Sequence, residues 1–184
     1  FVEIVTEPLS DTIKKEIIST IPYVVFGNLF EHIVKTLPPK KITFAESCTG
    51  GLIASHLTKI SGSSNCFDGS VVTYANRIKH EWLGVENSTL EKYGAVSEQT
   101  VKEMLLGAIE ISKADFAIAV SGIAGPTGGT PTKPVGTVYI GVADRKNLQV
   151  ELLHLKGDRN YIQYQAMMNA IRLFINFAGL YETN

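Results

Sequence analysis

Apolar positions repeat at two spacings along this 184-residue chain, and the switches between them mark out its elements. Continuous apolar or β-branched runs predict strands at ITFAE (42–46), GSVVTYA (69–75), DFAIAVSG (115–122), TVYIGVAD (137–144) and LQVELLHLK (148–156). The last two pair as a hairpin around Arg145-Lys146-Asn147. Apolar residues three and four apart predict helices over NLFEHIVKTL with Asn28 as N-cap, near 50–60, and over 76–84 with a stop at Gly84. A helical turn at 88–93, a helix opening at Ser97-Glu98 and a long last helix capped by Asp158 complete the series. Strands alternating with helices, most too apolar for a solvated face, predict an α/β protein. The expected architecture is a three-layer α/β/α sandwich with a mixed, mainly parallel sheet.

Residues 1–22 differ in character. They offer a short strand, a turn at Pro8 and a helix from near Asp11 that ends at Pro22, too little to bury a core. We read 1–22 as an N-terminal arm or the tail of an upstream linker region. Residues 23–184 are then the domain, opening with a strand at YVVFG.

Composition narrows the function classes. A net charge of −1 gives no basic field for nucleic acid or an anionic membrane. No apolar run approaches the roughly 20 residues of a membrane span. Cys48 and Cys66 form neither a zinc spacing nor a CxxC pair, and two thiols suit a reducing compartment, so the cytoplasm is expected. No HExxH or carboxylate cluster points to a metal, and His32, His56, His80 and His154 are scattered, against a Ser-His-Asp triad.

Ligands of open α/β sheets bind beyond the carboxyl ends of the strands. Three unusual segments share that address: AESCTGG, TYANRIK and SGIAGPTGGT. SCTGG reads first as a helix cap, second as an anion cradle, third as a nucleophile presented at a strand-to-helix turn. Cys48, although a helix start lowers a thiol's pKa, reads as structural, and so does Cys66. Asn76 can cap its helix. Lys79, one turn on, is either solvated or turned back beside Ser47, where desolvation would make it a base that Tyr74 assists. The Gly- and Pro-rich loop 121–136 is a backbone-amide surface suited to a phosphate or carbonyl oxygen, and Arg159 is a candidate phosphate ligand.

Together AESCTGGLIASHLT, SGSSNCFDGSVVTYANRIKHEWLGV, YGAVSEQTV, AVSGIAGPTGGTPTKPVGTVYI and LKGDR resemble one family, in its order, across about residues 40–175. It is the C-terminal domain of the competence/damage-inducible protein CinA, the nicotinamide mononucleotide (NMN) deamidase family. The resemblance implies hydrolysis of the NMN carboxamide to nicotinate mononucleotide and ammonia, a step in pyridine nucleotide recycling, with no metal and no cofactor. It places the nucleophile on Ser47, the base on Lys79 and a third member on Tyr74. Thr49, Gly50 and Gly51 would shape the helix start around the scissile group. Asn76, the backbone of Ser121, Gly122, Ile123, Ala124, Gly125, Gly128 and Gly129, and Arg159 would bind the rest of the substrate. Two positions depart from the family: Ser121 stands where relatives usually have Thr, and Gln163 where they often have Arg. Apolar stretches near the chain ends lead us to expect a homo-oligomer, a dimer, and the resemblance implies an N-terminal domain preceding this one. The rival reading is a silent module that binds a pyridine nucleotide without turnover.

Overall fold

The computed structural model describes residues 9–21 and 24–181. Among them are seven α-helices and one five-stranded sheet. In chain order the strands are β1 (Ile42–Glu46), β2 (Val71–Val72), β3 (Phe116–Gly122), β4 (Thr137–Ala143) and β5 (Leu148–His154). The helices are α1 (Asp11–Thr20), α2 (Leu29–Thr36), α3 (Leu52–Thr58), α4 (Asn76–Leu83), α5 (Asn87–Tyr93), α6 (Glu98–Ser112) and α7 (Arg159–Ala178).

The sheet runs β2-β1-β3-β4-β5. β2, β1 and β3 are parallel, while β3-β4 and β4-β5 are antiparallel. The sheet is therefore evenly mixed, a correction to the mainly parallel expectation. The β4-β5 hairpin was expected; the difference is β3-β4, which pair antiparallel because the 123–136 loop that joins them contains no crossover helix. β2 also pairs over two residues only, far less than GSVVTYA suggested. β5 forms the edge and is largely exposed, so its apolar run does not mark a buried strand. Residues 24–27 form no strand; the strand expected over 1–7 and the helix stop at Pro22 fall outside the described residues.

Side chains on a strand alternate between faces, and here the two faces differ in size. Phe44, Ile118 and Val120 join one core with α2, α3 and α7. Ala45, Ala117 and Ala119 face α6, whose Val101, Met104 and Leu105 fill the space those small residues leave. Gly141 belongs to the same accommodation: a Cβ there would meet Val101 at 2.8 Å and Leu105 at 2.9 Å. The sandwich is thus three-layered, with α6 drawn close to one side. α4 and α6 also touch through backbone, since a Cβ on Gly107 would lie 1.9 Å from the carbonyl oxygen of Leu83.

That contact yields a test. Gly107→Ala forces α4, which carries Lys79, away from α6, and overpacking of this kind costs about 1–3 kcal/mol. Chemical denaturation should give a lowered midpoint with an unchanged slope.

Candidate active site

Because β2, β1 and β3 are parallel neighbours, the segments that follow them emerge along one edge of the sheet. Ser47 follows β1, Thr73 and Tyr74 follow β2, and Ser121 and Gly122 end β3. Ser47 is held there by its own amide, which donates to the Val120 carbonyl at 3.0 Å. Its carbonyl accepts from Gly50 N, also at 3.0 Å, which closes a tight turn.

Lys79 sits on α4 and is fully buried. Its Nζ donates to Thr73 O at 2.6 Å, to Ser47 Oγ at 3.0 Å and, at longer range, to Tyr74 O at 3.4 Å. Burial lowers its pKa from 10.5 to about 8, and the nearby Cys48 opposes that shift only in part. Two of its three acceptors are backbone carbonyls, which cannot donate. When the ammonium loses a proton, the two remaining N–H groups satisfy those carbonyls and the lone pair faces Ser47 Oγ. The site can therefore take a proton from this hydroxyl and return it.

Tyr74 meets the pair through its backbone carbonyl. Its side chain is exposed, and its hydroxyl accepts from Arg159 Nη2 at 2.9 Å rather than bonding Ser47 or Lys79. Arg159, the first residue of α7, also donates to Gly125 O at 2.7 Å, so it joins two rims of the site. The result is a cleft of about 160 Å³ around Ser47, Lys79, Tyr74, Ser121, Gly122, Ala124 and Arg159. Cys48, Ala95 and Val96 also line it, and sequence reasoning had not placed the last two there. They come from the segment before α6, tied down by Ser121 Oγ to Ala95 O and by Lys133 Nζ to Tyr93 O and Val96 O, all at 2.7 Å.

Other expected residues lie elsewhere. Thr49 is buried behind the turn with its hydroxyl unpaired, and Gly50 is exposed. Asn76 is the first residue of α4, not its cap; Ala75 holds the cap position, and Asn76 faces a separate groove with Arg77 and His80. Ile123 continues the β3-β4 ladder, with its amide on Thr137 O at 2.9 Å, and Gly128 and Gly129 lie exposed in the loop. The Ser and Thr hydroxyls of SCTGG do not cap α3. Its N-cap is Gly51, at φ 97, and the capping atoms belong to Glu46. Gly51 N is thereby committed to a carboxylate of the protein. Gln163 Nε2 donates to Cys48 O at 2.6 Å, which supports the turn from α7. The Cys48 thiol is buried and pushed up to about 12, chiefly by desolvation. It is not poised to ionise. No group of three or more His, Cys, Asp or Glu side chains among the described residues could hold a metal. No described helix is long and apolar enough to cross a membrane.

Fold and cleft define a class: an α/β/α sandwich with a buried serine–lysine pair where its parallel strands end. The chain belongs to the CinA C-terminal domain family, whose model matches residues 28–178. It is 52% identical over 139 residues to the "Nicotinamide-nucleotide amidohydrolase PncC" of Enterobacter agglomerans, covering 73% of this chain and 85% of that one. It is 48% identical over 143 residues to a "CinA-like protein" of Thermotoga neapolitana, covering 77% of this chain and 35% of that one. The chain thus spans about a third of the length of several relatives it matches. The crystal structure of a competence/damage inducible protein from Agrobacterium tumefaciens superposes with a TM-score of 0.79 at 39% identity, covering 84% of this chain and 99% of that one. One from Klebsiella pneumoniae gives 0.79 at 33% identity, covering 82% and 95%.

Burial of Lys79 has a consequence for stability. The unfolded chain keeps its lysine protonated up to the ordinary value of 10.5, whereas the folded site loses that proton near 8. Between those values the unfolded state binds more protons, so stability rises with pH across that window. Lys79→Met removes the buried charge. It should be at least as stable as the parent at pH 7, and its advantage should shrink from pH 8 to 10.5 in denaturant titrations at several pH values.

Proposed function

We propose that this domain is an NMN deamidase that uses Ser47 as nucleophile and Lys79 as base. The observation that carries the reading is the Lys79 Nζ to Ser47 Oγ contact in full burial, with backbone carbonyls as the lysine's other acceptors. The amidohydrolase name of the Enterobacter agglomerans relative supports the substrate.

Hydrolysis of an amide needs a nucleophile, donors for the tetrahedral oxyanion and a proton for the leaving amine. Ser47 Oγ attacks the carboxamide carbon while neutral Lys79 takes the hydroxyl proton. The amides of Cys48 and Thr49 are the donors nearest in sequence to the nucleophile. Lys79 then passes its proton to the amide nitrogen as the C–N bond breaks, and ammonia leaves a nicotinoyl ester on Ser47. Water, deprotonated by Lys79, hydrolyses the ester. Arg159, with donors beyond those on Gly125 and Tyr74, receives the ribose phosphate at the rim of the cleft. Remote phosphate binding then positions the carboxamide. In this arrangement Tyr74 orients Arg159 and lines the path of the substrate.

The purified chain should release ammonia from NMN in the presence of EDTA. Ser47→Ala should lose the activity while still binding NMN, and Lys79→Met should fall nearly as far. A folded wild type that binds NMN without releasing ammonia would instead make the site a nucleotide-binding module. Full activity in Lys79→Met would remove the serine–lysine assignment.

The pH dependence is set by the same lysine. The base is active when neutral, so kcat/KM should climb about tenfold per pH unit below 8 and level off above it. A rate independent of pH between 6.5 and 9 would exclude Lys79 as the base.

A further inference from the structure

Glu46 has no part in the chemistry described above, yet it is the residue immediately before the nucleophile and is fully buried. Its side chain and its main chain do two different things. The carboxylate accepts from Gly51 N at 3.0 Å and Ile53 N at 3.1 Å through Oε2, and from Ala54 N at 2.9 Å through Oε1. Leu52 N turns to Thr49 O at 3.2 Å, so the opening amides of α3 are all satisfied. A helix normally obtains this from the side chain at its N-cap, but Gly51 has none to offer. The Glu46 carbonyl meanwhile accepts from Thr73 N at 2.8 Å, and Thr73 O is the nearest acceptor of Lys79.

We infer that Glu46 is a positioning residue that holds both halves of the serine–lysine pair in register. From one residue, the carboxylate fixes the turn that presents Ser47, and the carbonyl fixes the acceptor that directs Lys79. The carboxylate is also the counter-charge for the start of α3, which leaves no anion site there for a substrate phosphate. A substrate phosphate must then be held at the Arg159 side of the cleft, away from the α3 terminus. The inference rests on the Ser47–Lys79 reading and adds to it the residue that sets the geometry of the pair.

Glu46→Gln and Glu46→Asp separate shape from charge. Gln keeps the size but sets an NH2 group against a backbone N–H; Asp keeps the charge but is one methylene short of spanning all three amides. Both should lower kcat for ammonia release from NMN by about 100-fold, the effect of misplacing a reacting group by about 1 Å. KM should stay within about threefold, since Glu46 lies behind the turn and touches no part of the cleft surface. In Glu46→Asp, which conserves charge, a loosened Lys79 is rehydrated, so the pH midpoint of kcat should move upward. A purely structural carboxylate would leave that midpoint where it is.

Labelling of Ser47 by a fluorophosphonate, followed by mass spectrometry, reports the activated hydroxyl without any NMN. A wild type that labels faster as pH rises through 8 but does not deamidate NMN would sink the proposed substrate and leave this inference standing. It stands if both variants, folded by circular dichroism, label at least tenfold more slowly. Wild-type labelling rates and kcat in both folded variants overturn it. So does failure of both to fold, which would make the carboxylate a folding element only. A wild type whose Ser47 does not label overturns it together with the pair it serves.

Discussion

The burial of one amine organises this molecule. Lys79 is fully buried, and a charged ammonium there is costly unless its protons find acceptors. Among the described residues, two carbonyls and one hydroxyl accept from the amine and no carboxylate does. A carboxylate would have kept the lysine charged and useless as a base. Carbonyls satisfy its N–H groups without stabilising the charge as strongly, which leaves the pKa within reach of neutral pH. Much of the surrounding architecture serves to bring those acceptors to the same point.

That convergence comes from strand order. With β1 between β2 and β3, the residues after all three strands lie side by side, and Ser47 and Lys79, 32 residues apart in sequence, meet across the β1-β2 pair. β2 needs only two paired residues for this, because its task is to deliver the Thr73 and Tyr74 carbonyls. The small-residue face of the sheet has a matching purpose. Ala45, Ala117 and Ala119 let α6 approach closely, and Gly107 lets α4 rest on α6 by backbone contact. A bulkier sheet face would lift α4, and Lys79 with it.

The elements were largely legible in the sequence, because side-chain caps leave local signatures. Asn28, Ser97 and Asp158 each bond an amide in the first turn of their helix, as their positions before apolar periodic runs implied. The α3 cap was not legible, since the accepting carboxylate belongs to the preceding strand and reaches across a turn to helix amides five to eight residues on. Asn76 misled for the reverse reason: a good capping residue stood one position too late, and Ala75 took the cap with no side-chain bond. β5 and the failed strand at 24–27 show that apolar content alone does not distinguish a buried strand from an edge strand or a coil. At the site, chemistry-bearing segments were visible as segments, but the distance between Ser47 and Lys79 follows from sheet register, which local patterns do not encode. Ala95 and Val96 were invisible because they contribute only a wall.

In the proposed mechanism, the choice of hydroxyl over thiol follows from burial and from the same electrostatics. Cys48 stands next to Ser47 at the start of a helix, a place that ordinarily favours a thiolate. Here the helix amides already hold the Glu46 carboxylate, so the dipole that would have stabilised sulfur is spent, and Glu46 adds its own negative charge nearby. Burial contributes most, and the thiol is pushed up to about 12, well above the lysine beside it. A hydroxyl suffers no such penalty, because it never has to carry a resting charge: it gives up its proton only as the bond to carbon forms, to an amine already within 3.0 Å. The glutamate that closes the helix start therefore does two things to its neighbours. It fixes the serine in place, and it adds to the burial that keeps the cysteine beside it protonated.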